Sequence, residues 1–200
     1  MRTRAAGARD KDEGRRNLWA FSTREMLAVA VGSVLYGMFG WATSGLRIPG
    51  LFNSTIRPGV ALPMFFGAAF GPLVGFIVGF AGNMIADLLS GYGFLWNWNV
   101  GNGLMGFVAG LASYYLTRLD SIRNVAIAVG FALMGIVVGM GFASVTDIWI
   151  DPKIGNLAGA WTEFYPLAVS NAISAIVLVP LLAASYENLV VRPDEVEEQR

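Results

Sequence analysis

Residues 58–90 read PGVALPMFFGAAFGPLVGFIVGFAGNMIADLLS, an apolar stretch whose only charged side chain is Asp87. As one helix it would be about 50 Å long at ~1.5 Å per residue, whereas the hydrocarbon core of a bilayer is about 30 Å thick. Proline is favoured at the first position of a helix, so the Gly71-Pro72 pair predicts a break. We therefore expect two consecutive spans, Pro58–Phe70 and Pro72–Ser90.

The rest of the chain is also poor in charge, with 14% charged and 55% hydrophobic residues. A soluble domain carries about a quarter charged residues, so lipid is expected to solvate most of this surface. The predicted fold class is all-α, a polytopic membrane protein with a six-transmembrane-helix bundle. The four remaining spans are predicted at about Met26–Thr43, Val100–Leu116, Asn124–Val145 and Phe164–Ser185.

The basic residues predict the orientation of the bundle. Of the fourteen Lys and Arg residues, eleven lie in the two tails and the loop at 117–123, and three lie on the other side. Because Lys and Arg accumulate on the cytoplasmic side of membrane proteins, both termini are expected to be cytoplasmic. The predicted organisation is a disordered cytoplasmic tail at 1–25, a transmembrane domain at 26–186 and an acidic cytoplasmic tail at 187–200.

Several kinds of chemistry are excluded by composition. The chain has no Cys and no His, so it lacks thiolates, the commonest metal ligand and the commonest general base. Neither of its two lysines follows a glycine, which excludes a phosphate-binding P-loop, and a net charge of zero offers no basic field for nucleic acid. We therefore expect no enzyme activity, metal or cofactor, and any ATP-driven work requires an ATPase on another chain.

Two clusters of aromatic and amide side chains fall on the expected outer side. Tryptophan at a membrane interface needs no ligand, but amides in lipid are costly unless paired. Flat rings that alternate with neutral amides suit a flat, polar, heterocyclic ligand, and the scarcity of charge in these loops argues against a highly charged one. The predicted binding residues are Trp96, Asn97, Trp98, Asn99 and Asn102 in one cluster, and Trp161, Glu163, Tyr165 and Asn171 in the other.

Polar residues of the third span form a further candidate. Asn83 and Asp87 lie one helical turn apart near the expected outer boundary, where a carboxylate costs far less than the roughly 3 kcal/mol of the bilayer centre. A polar cap and a site role are equally compatible with that depth. Arg57, in the preceding outer loop, is either a snorkelling surface residue or a charge that serves an anionic ligand or pairs with Asp87.

Small residues recur at every fourth position, which places them on one helix face and predicts close packing of helix backbones. For the pair on the first helix, a partner's helix is an equally good alternative to packing within the bundle. The series are Gly67, Gly71, Gly75 and Gly79; Gly106 and Gly110; Gly135 and Gly139; and Ala28 and Gly32.

These features resemble a known family, the substrate-binding S components of energy-coupling-factor (ECF) vitamin transporters. The resemblance covers roughly residues 24–186 and rests on IRPGVALPMFFGAAFGPLVGFIVGFAGNMIADLLSGYG (Ile56–Gly93) and WNWNVGNGLMGFVAGL (Trp96–Leu111). It extends to the first helix, where Ala28-x-x-x-Gly32 stands in place of the family's usual two alanines.

The resemblance implies a vitamin-sized site open to the outside of a bacterial or archaeal cytoplasmic membrane. It also implies a partner module of one membrane coupling (T) protein and two ATPase subunits, docked on Ala28 and Gly32. Substrate contacts are implied around Asn53 and Arg57 and in both aromatic clusters. The alternative is a structural membrane subunit, such as a cell-shape or envelope scaffold, that transports nothing.

Overall fold

The computed structural model describes residues 22–46, 57–116 and 118–191. Within these residues all regular structure is helical, which confirms the all-α prediction. Short 3₁₀ turns precede the second helix and follow the fourth, and a π-helical turn extends the last. The six α-helices are α1 Thr23–Thr43, α2 Ala61–Phe70, α3 Pro72–Leu89, α4 Trp96–Gly110, α5 Ile122–Ile150 and α6 Leu157–Tyr186.

Four of these helices, α1, α3, α5 and α6, are long and apolar enough to cross a bilayer. The segment Pro58–Phe70, which contains α2, is apolar but shorter. Helix α4 has 15 residues and begins with amide side chains. The chain is thus a multi-pass membrane protein whose six predicted helices are present, and a crossing by all six of them stays a prediction.

Several predicted span ends differ from the helix ends, and at three of them the helix extends past polar residues where the predicted span stops. Hydropathy ends a span at the first polar residue, but a polar residue that is paired inside a bundle can continue a helix. As a result Asp147 and Glu163, which fall between the predicted fifth and sixth spans, lie on helices. Helix α4 begins at Trp96 instead of Val100, α5 ends at Ile150 instead of Val145, and α6 begins at Leu157 instead of Phe164.

The C-terminal boundary at residue 187 is also wrong, because Glu187 belongs to the bundle. Its buried carboxylate accepts hydrogen bonds from Arg118 Nη2 and from the backbone N–H of Leu119, both at 2.9 Å. At the other terminus α1 begins at Thr23, where Ser22 and Glu25 form a capping box. Residues 1–21 and 192–200, which make up most of the two predicted tails, lie outside the described residues.

The predicted break at Gly71-Pro72 is present between α2 and α3. Gly71 has a φ of 113°, a backbone conformation that favours glycine because it has no Cβ. Pro72 then takes the first position of α3. The two helices are therefore separate.

Glycines bring the backbones of α3, α4 and α5 into direct contact, as the four-residue spacing predicted. A Cβ at Gly75 in α3 would overlap the carbonyl oxygen of Gly106 in α4, and a Cβ at Gly106 would overlap that of Gly75. On the other side of α4, a Cβ at Gly139 in α5 would overlap the carbonyl oxygen of Gly101. Helix α4, with its amides, is therefore held between two apolar helices.

The small face of α1 packs inside the bundle, so the prediction that it meets a partner's helix is wrong in this structure. Ala28 is buried in the core cluster of Phe65, Phe66 and Val78. A Cβ at Gly32 would lie 2.8 Å from Val78 Cγ2. Sequence spacing shows that a helix face is small but not which helix covers it.

The helices alternate in direction and give the bundle two distinct ends. At the end we call the termini end, Arg24 Nη2 donates to the Tyr186 hydroxyl at 2.6 Å, and the rings of Phe70 and Tyr186 lie 5.6 Å apart. At the opposite end, α3 and α5 finish and α2, α4 and α6 start. Most of the buried polar side chains gather there.

Candidate ligand-binding site

A cavity of about 750 Å³ lies at the end opposite the termini. Helices α3 to α6 contribute to its wall, together with the segments that precede α2 and connect α3 to α4 and α5 to α6. Six of the residues predicted for the site line it: Arg57, Asp87, Trp98, Asn102, Glu163 and Asn171.

Three aromatic residues that were predicted to bind the ligand do not line the cavity. Trp96, Trp161 and Tyr165 are 48%, 64% and 54% exposed on the outside of the bundle. Successive helical residues are rotated by ~100°, so side chains two positions apart point in nearly opposite directions. The helical start of α4 thus turns Trp96 outward and Trp98 inward. On α6, both Trp161 and Tyr165 point outward. Asn53 lies outside the described residues.

Behind the wall, α3 carries a buried polar network. Asp87 is 1% exposed, which excludes the polar-cap interpretation, and lies 3.5 Å from the Arg57 guanidinium, which confirms the pairing alternative. Asn83 Nδ2 donates to Asp87 Oδ2 at 2.7 Å and to Asn99 Oδ1 at 2.8 Å. Arg57 Nη1 donates to Asn83 Oδ1 at 3.2 Å. Asn83 and Asn99 therefore support the site without lining the cavity.

A second network holds the ring of Trp98. Buried Asp147 accepts hydrogen bonds from Asn97 Nδ2 at 2.7 Å and from Trp98 Nε1 at 2.9 Å. With its N–H engaged, Trp98 presents only its ring to the cavity. Sequence reasoning missed Asp147, although it continues the four-residue series of Gly139 and Ala143 on α5.

Other wall groups remain available to a ligand. Asn171 is 5% exposed, lines the cavity, and its side chain has no hydrogen-bond partner among the described residues. Glu163 lines the cavity close to Ser144 and Asp147. Tyr92 and Lys153, from the connecting segments, complete the wall and were missed because loops carry no periodic signal.

The described residues contain no group of three or more acidic side chains placed to hold a metal ion. The wall combines an aromatic ring held by Asp147, two amide side chains and ionisable side chains of both signs. Such a wall can bind a polar organic molecule by stacking and hydrogen bonding.

Comparison with known proteins gives one family. Residues 20–188 match the family described as "ECF-type riboflavin transporter, S component". A UPF0397 protein of Vibrio atlanticus is 33% identical over 172 residues, which cover 82% of this chain and 91% of that protein. UPF0397 proteins of Aliivibrio salmonicida and Aliivibrio fischeri are 33% and 34% identical over 131 residues, covering 63% of this chain and 70% of each relative. No solved structure gives a significant match.

Proposed function

Because the chain belongs to the family of ECF-type riboflavin transporter S components, we propose that it binds a small water-soluble vitamin or related nutrient in its cavity. Membership confirms the resemblance drawn from the sequence and places the chain in a transporter family rather than an enzyme family. The nutrient would then be delivered through a membrane coupling protein and two ATPase subunits. The family match favours this function over a structural scaffold.

The observation that carries the proposal is the cavity itself. At about 750 Å³ it falls within the roughly 300–1,000 Å³ typical of small-molecule sites. Trp98 and Tyr92 offer aromatic faces, and Asn102 and Asn171 offer amides. This combination suits a flat heterocycle, such as the ring system of riboflavin, the vitamin in the family's name.

The charges of the wall support a neutral ligand. Arg57 and Asp87 neutralise each other across 3.5 Å, and Lys153 and Glu163 are the other two ionisable side chains of the wall. A ligand without net charge leaves this balance intact and needs no compensating ion. The scarcity of charge in the outer segments of the sequence argued in the same direction, against a highly charged ligand.

The aromatic wall is also preorganised. Because Asp147 holds the Trp98 indole N–H, the ring is fixed before a ligand arrives. A fixed ring loses little conformational entropy on binding, so more of the stacking energy appears as affinity. This favours tight binding by the isolated chain, without its transport partners.

We place the cavity end outside and the termini end in the cytoplasm of a bacterial or archaeal cell. A Cys introduced at Ser121, at the termini end, is then expected to resist a membrane-impermeant thiol reagent in intact cells. A Cys at Phe94, which is exposed near the cavity end, should react. The natural chain has no Cys, so the thiol reagent labels only the introduced residue. Labelling at Ser121 with protection at Phe94 would reverse the orientation.

The transport role predicts dependence on partners. Cells that lack riboflavin uptake of their own should accumulate labelled riboflavin when they express this chain together with a coupling protein and ATPases. Cells that express only this chain, or only the coupling protein and ATPases, should not. The purified chain should still bind riboflavin by itself. A chain that is folded and correctly inserted but neither binds nor supports uptake of any water-soluble vitamin would instead match the scaffold alternative.

A further inference from the structure

We propose that the Arg57–Asp87 ion pair is itself a binding subsite, which recognises a neutral edge of the ligand that carries a hydrogen-bond donor beside an acceptor. In riboflavin two groups have this character: the ring edge with an N–H between two carbonyls, and the neighbouring hydroxyls of the ribityl chain. The inference rests on the proposed function and deepens it, because it names the chemical feature that this part of the cavity selects.

The contact between the two charged groups is loose. Arg57 Nη1 and Nη2 both approach Asp87 Oδ1 at 3.5 Å, whereas charge-assisted N–H···O bonds are typically about 2.7–2.9 Å long. Both residues line the cavity, and the Arg57 side chain, at 24% exposed against 2% for Asp87, is the more open of the two. The pair therefore cancels its charges without using up its hydrogen-bonding capacity.

The capacity that remains follows from the hydrogen bonds already made. A guanidinium has five N–H donors, and a carboxylate has about four acceptor positions. Within the described residues Arg57 makes three hydrogen bonds, to Asp87 and to Asn83. Asp87 accepts one short bond, from Asn83 Nδ2 to Oδ2 at 2.7 Å, and the long contacts with Arg57 at Oδ1. A buried charge that lacks hydrogen bonds is unfavourable, so a ligand group that supplies them is favoured.

The polarity of the subsite does not depend on how either side chain is turned. Every nitrogen of Arg57 donates, and both oxygens of the Asp87 carboxylate accept. A ligand therefore has to offer an acceptor to Arg57 and a donor to Asp87. Asp87 repels a carboxylate or a phosphate and Arg57 repels an ammonium, whereas a neutral donor–acceptor edge satisfies both side chains and leaves their charge balance intact.

Asn83 holds the pair in this open arrangement. It is fully buried, donates to Asp87 Oδ2 and accepts from Arg57 Nη1 at 3.2 Å. A further bond from its Nδ2 to Asn99 Oδ1, at 2.8 Å, ties it to α4. Because one amide bonds both members of the pair, the subsite is positioned before a ligand arrives, which lowers the entropic cost of binding.

The test compares riboflavin with two analogues that each remove one of the two edges. 3-Methylriboflavin blocks the ring N–H, and lumiflavin replaces the ribityl chain by a methyl group. The purified full-length parent should bind riboflavin and bind at least one analogue about tenfold or more weakly, because sites built for hydrogen bonds reject analogues that cannot make them.

Asp87→Asn keeps the shape of the side chain and removes the carboxylate. Its amide oxygen is expected to face Asn83 Nδ2, so that an N–H₂ group replaces the acceptor beside Arg57. Riboflavin should then bind about tenfold more weakly, and discrimination against one analogue should fall below about twofold. That analogue identifies the edge that the pair recognises. Glu187→Gln is the matched control, because it neutralises the carboxylate of another ion pair, with Arg118, at the termini end. It should match the parent.

Unchanged discrimination against both analogues in Asp87→Asn would overturn the inference, as would a parent that binds both analogues as tightly as riboflavin. In either case binding of riboflavin leaves the proposed function standing. Should Asp87→Asn fail to fold, Arg57→Met removes every donor of the pair, and retained discrimination in that variant overturns the inference equally. A parent that binds neither riboflavin nor the analogues contradicts the proposed function first, and this inference with it.

Discussion

Gly106→Leu is expected to destabilise the bundle more than any other change considered for this chain. Any Cβ at this position overlaps the Gly75 carbonyl oxygen, which is backbone and cannot rotate away. Overpacking costs typically about 1–3 kcal/mol, and a clash with backbone that cannot move aside is expected at the upper end of that range. For a chain of this size such a loss lowers the melting temperature by on the order of 10 °C.

Thermal unfolding of the purified protein in detergent measures this effect. The matched control is Gly130→Leu on α5, where an added Cβ meets no atom within 4 Å and the helix surface is exposed. That variant should melt within a few degrees of the parent. Equal melting temperatures for the two leucine variants would contradict the backbone contact between α3 and α4.

Trp98→Ala is expected to reduce ligand affinity by at least about tenfold, which corresponds to about 1.4 kcal/mol. The substitution removes the aromatic face and leaves the Asp147 carboxylate without its indole donor. Stacking alone is worth roughly 0.5–1.5 kcal/mol beyond the buried area. Trp98→Phe should be intermediate, because it keeps a ring and loses the hydrogen bond.

Quenching of riboflavin fluorescence on titration with the purified protein provides the measurement. Trp161→Ala is the control, because Trp161 is a tryptophan of the same end that points away from the cavity. It should bind as the parent does. If Trp161→Ala weakens binding and Trp98→Ala does not, the ligand binds outside the cavity described here.

The elements that could be predicted from the sequence are those set by local rules. Gly71-Pro72 predicts a break because both residues act on their own backbone, and the glycine series from Gly67 to Gly79 predicts a close contact because helical periodicity is fixed. The helix ends near Asp147 and Glu163 could not be predicted in the same way. A hydropathy scale scores each acidic residue as unfavourable in a membrane span, and only the folded bundle supplies the neighbours that surround them.

In the candidate site, too, some features follow from the local sequence and others depend on tertiary packing. Residue types alone favoured a stacking, amide-lined pocket, but an aromatic stretch treated as a loop does not reveal that Trp96 and Trp98 lie on opposite sides of a helix. The Arg57–Asp87 pair was one of several open alternatives until α2 and α3 were placed side by side. Likewise Ala28 and Gly32 are visibly small, yet the choice between an internal and an external partner depends on tertiary packing.

This chain alone is expected to hold one small heterocyclic nutrient in its cavity. Native mass spectrometry of the protein purified from its own host tests it most directly, with Trp98→Ala purified in parallel. The parent complex should be heavier than the apoprotein by one vitamin-sized molecule, and the Trp98→Ala variant should be depleted of that mass. A parent that stays at the apoprotein mass even after incubation with riboflavin and other water-soluble vitamins, while remaining folded, would contradict it.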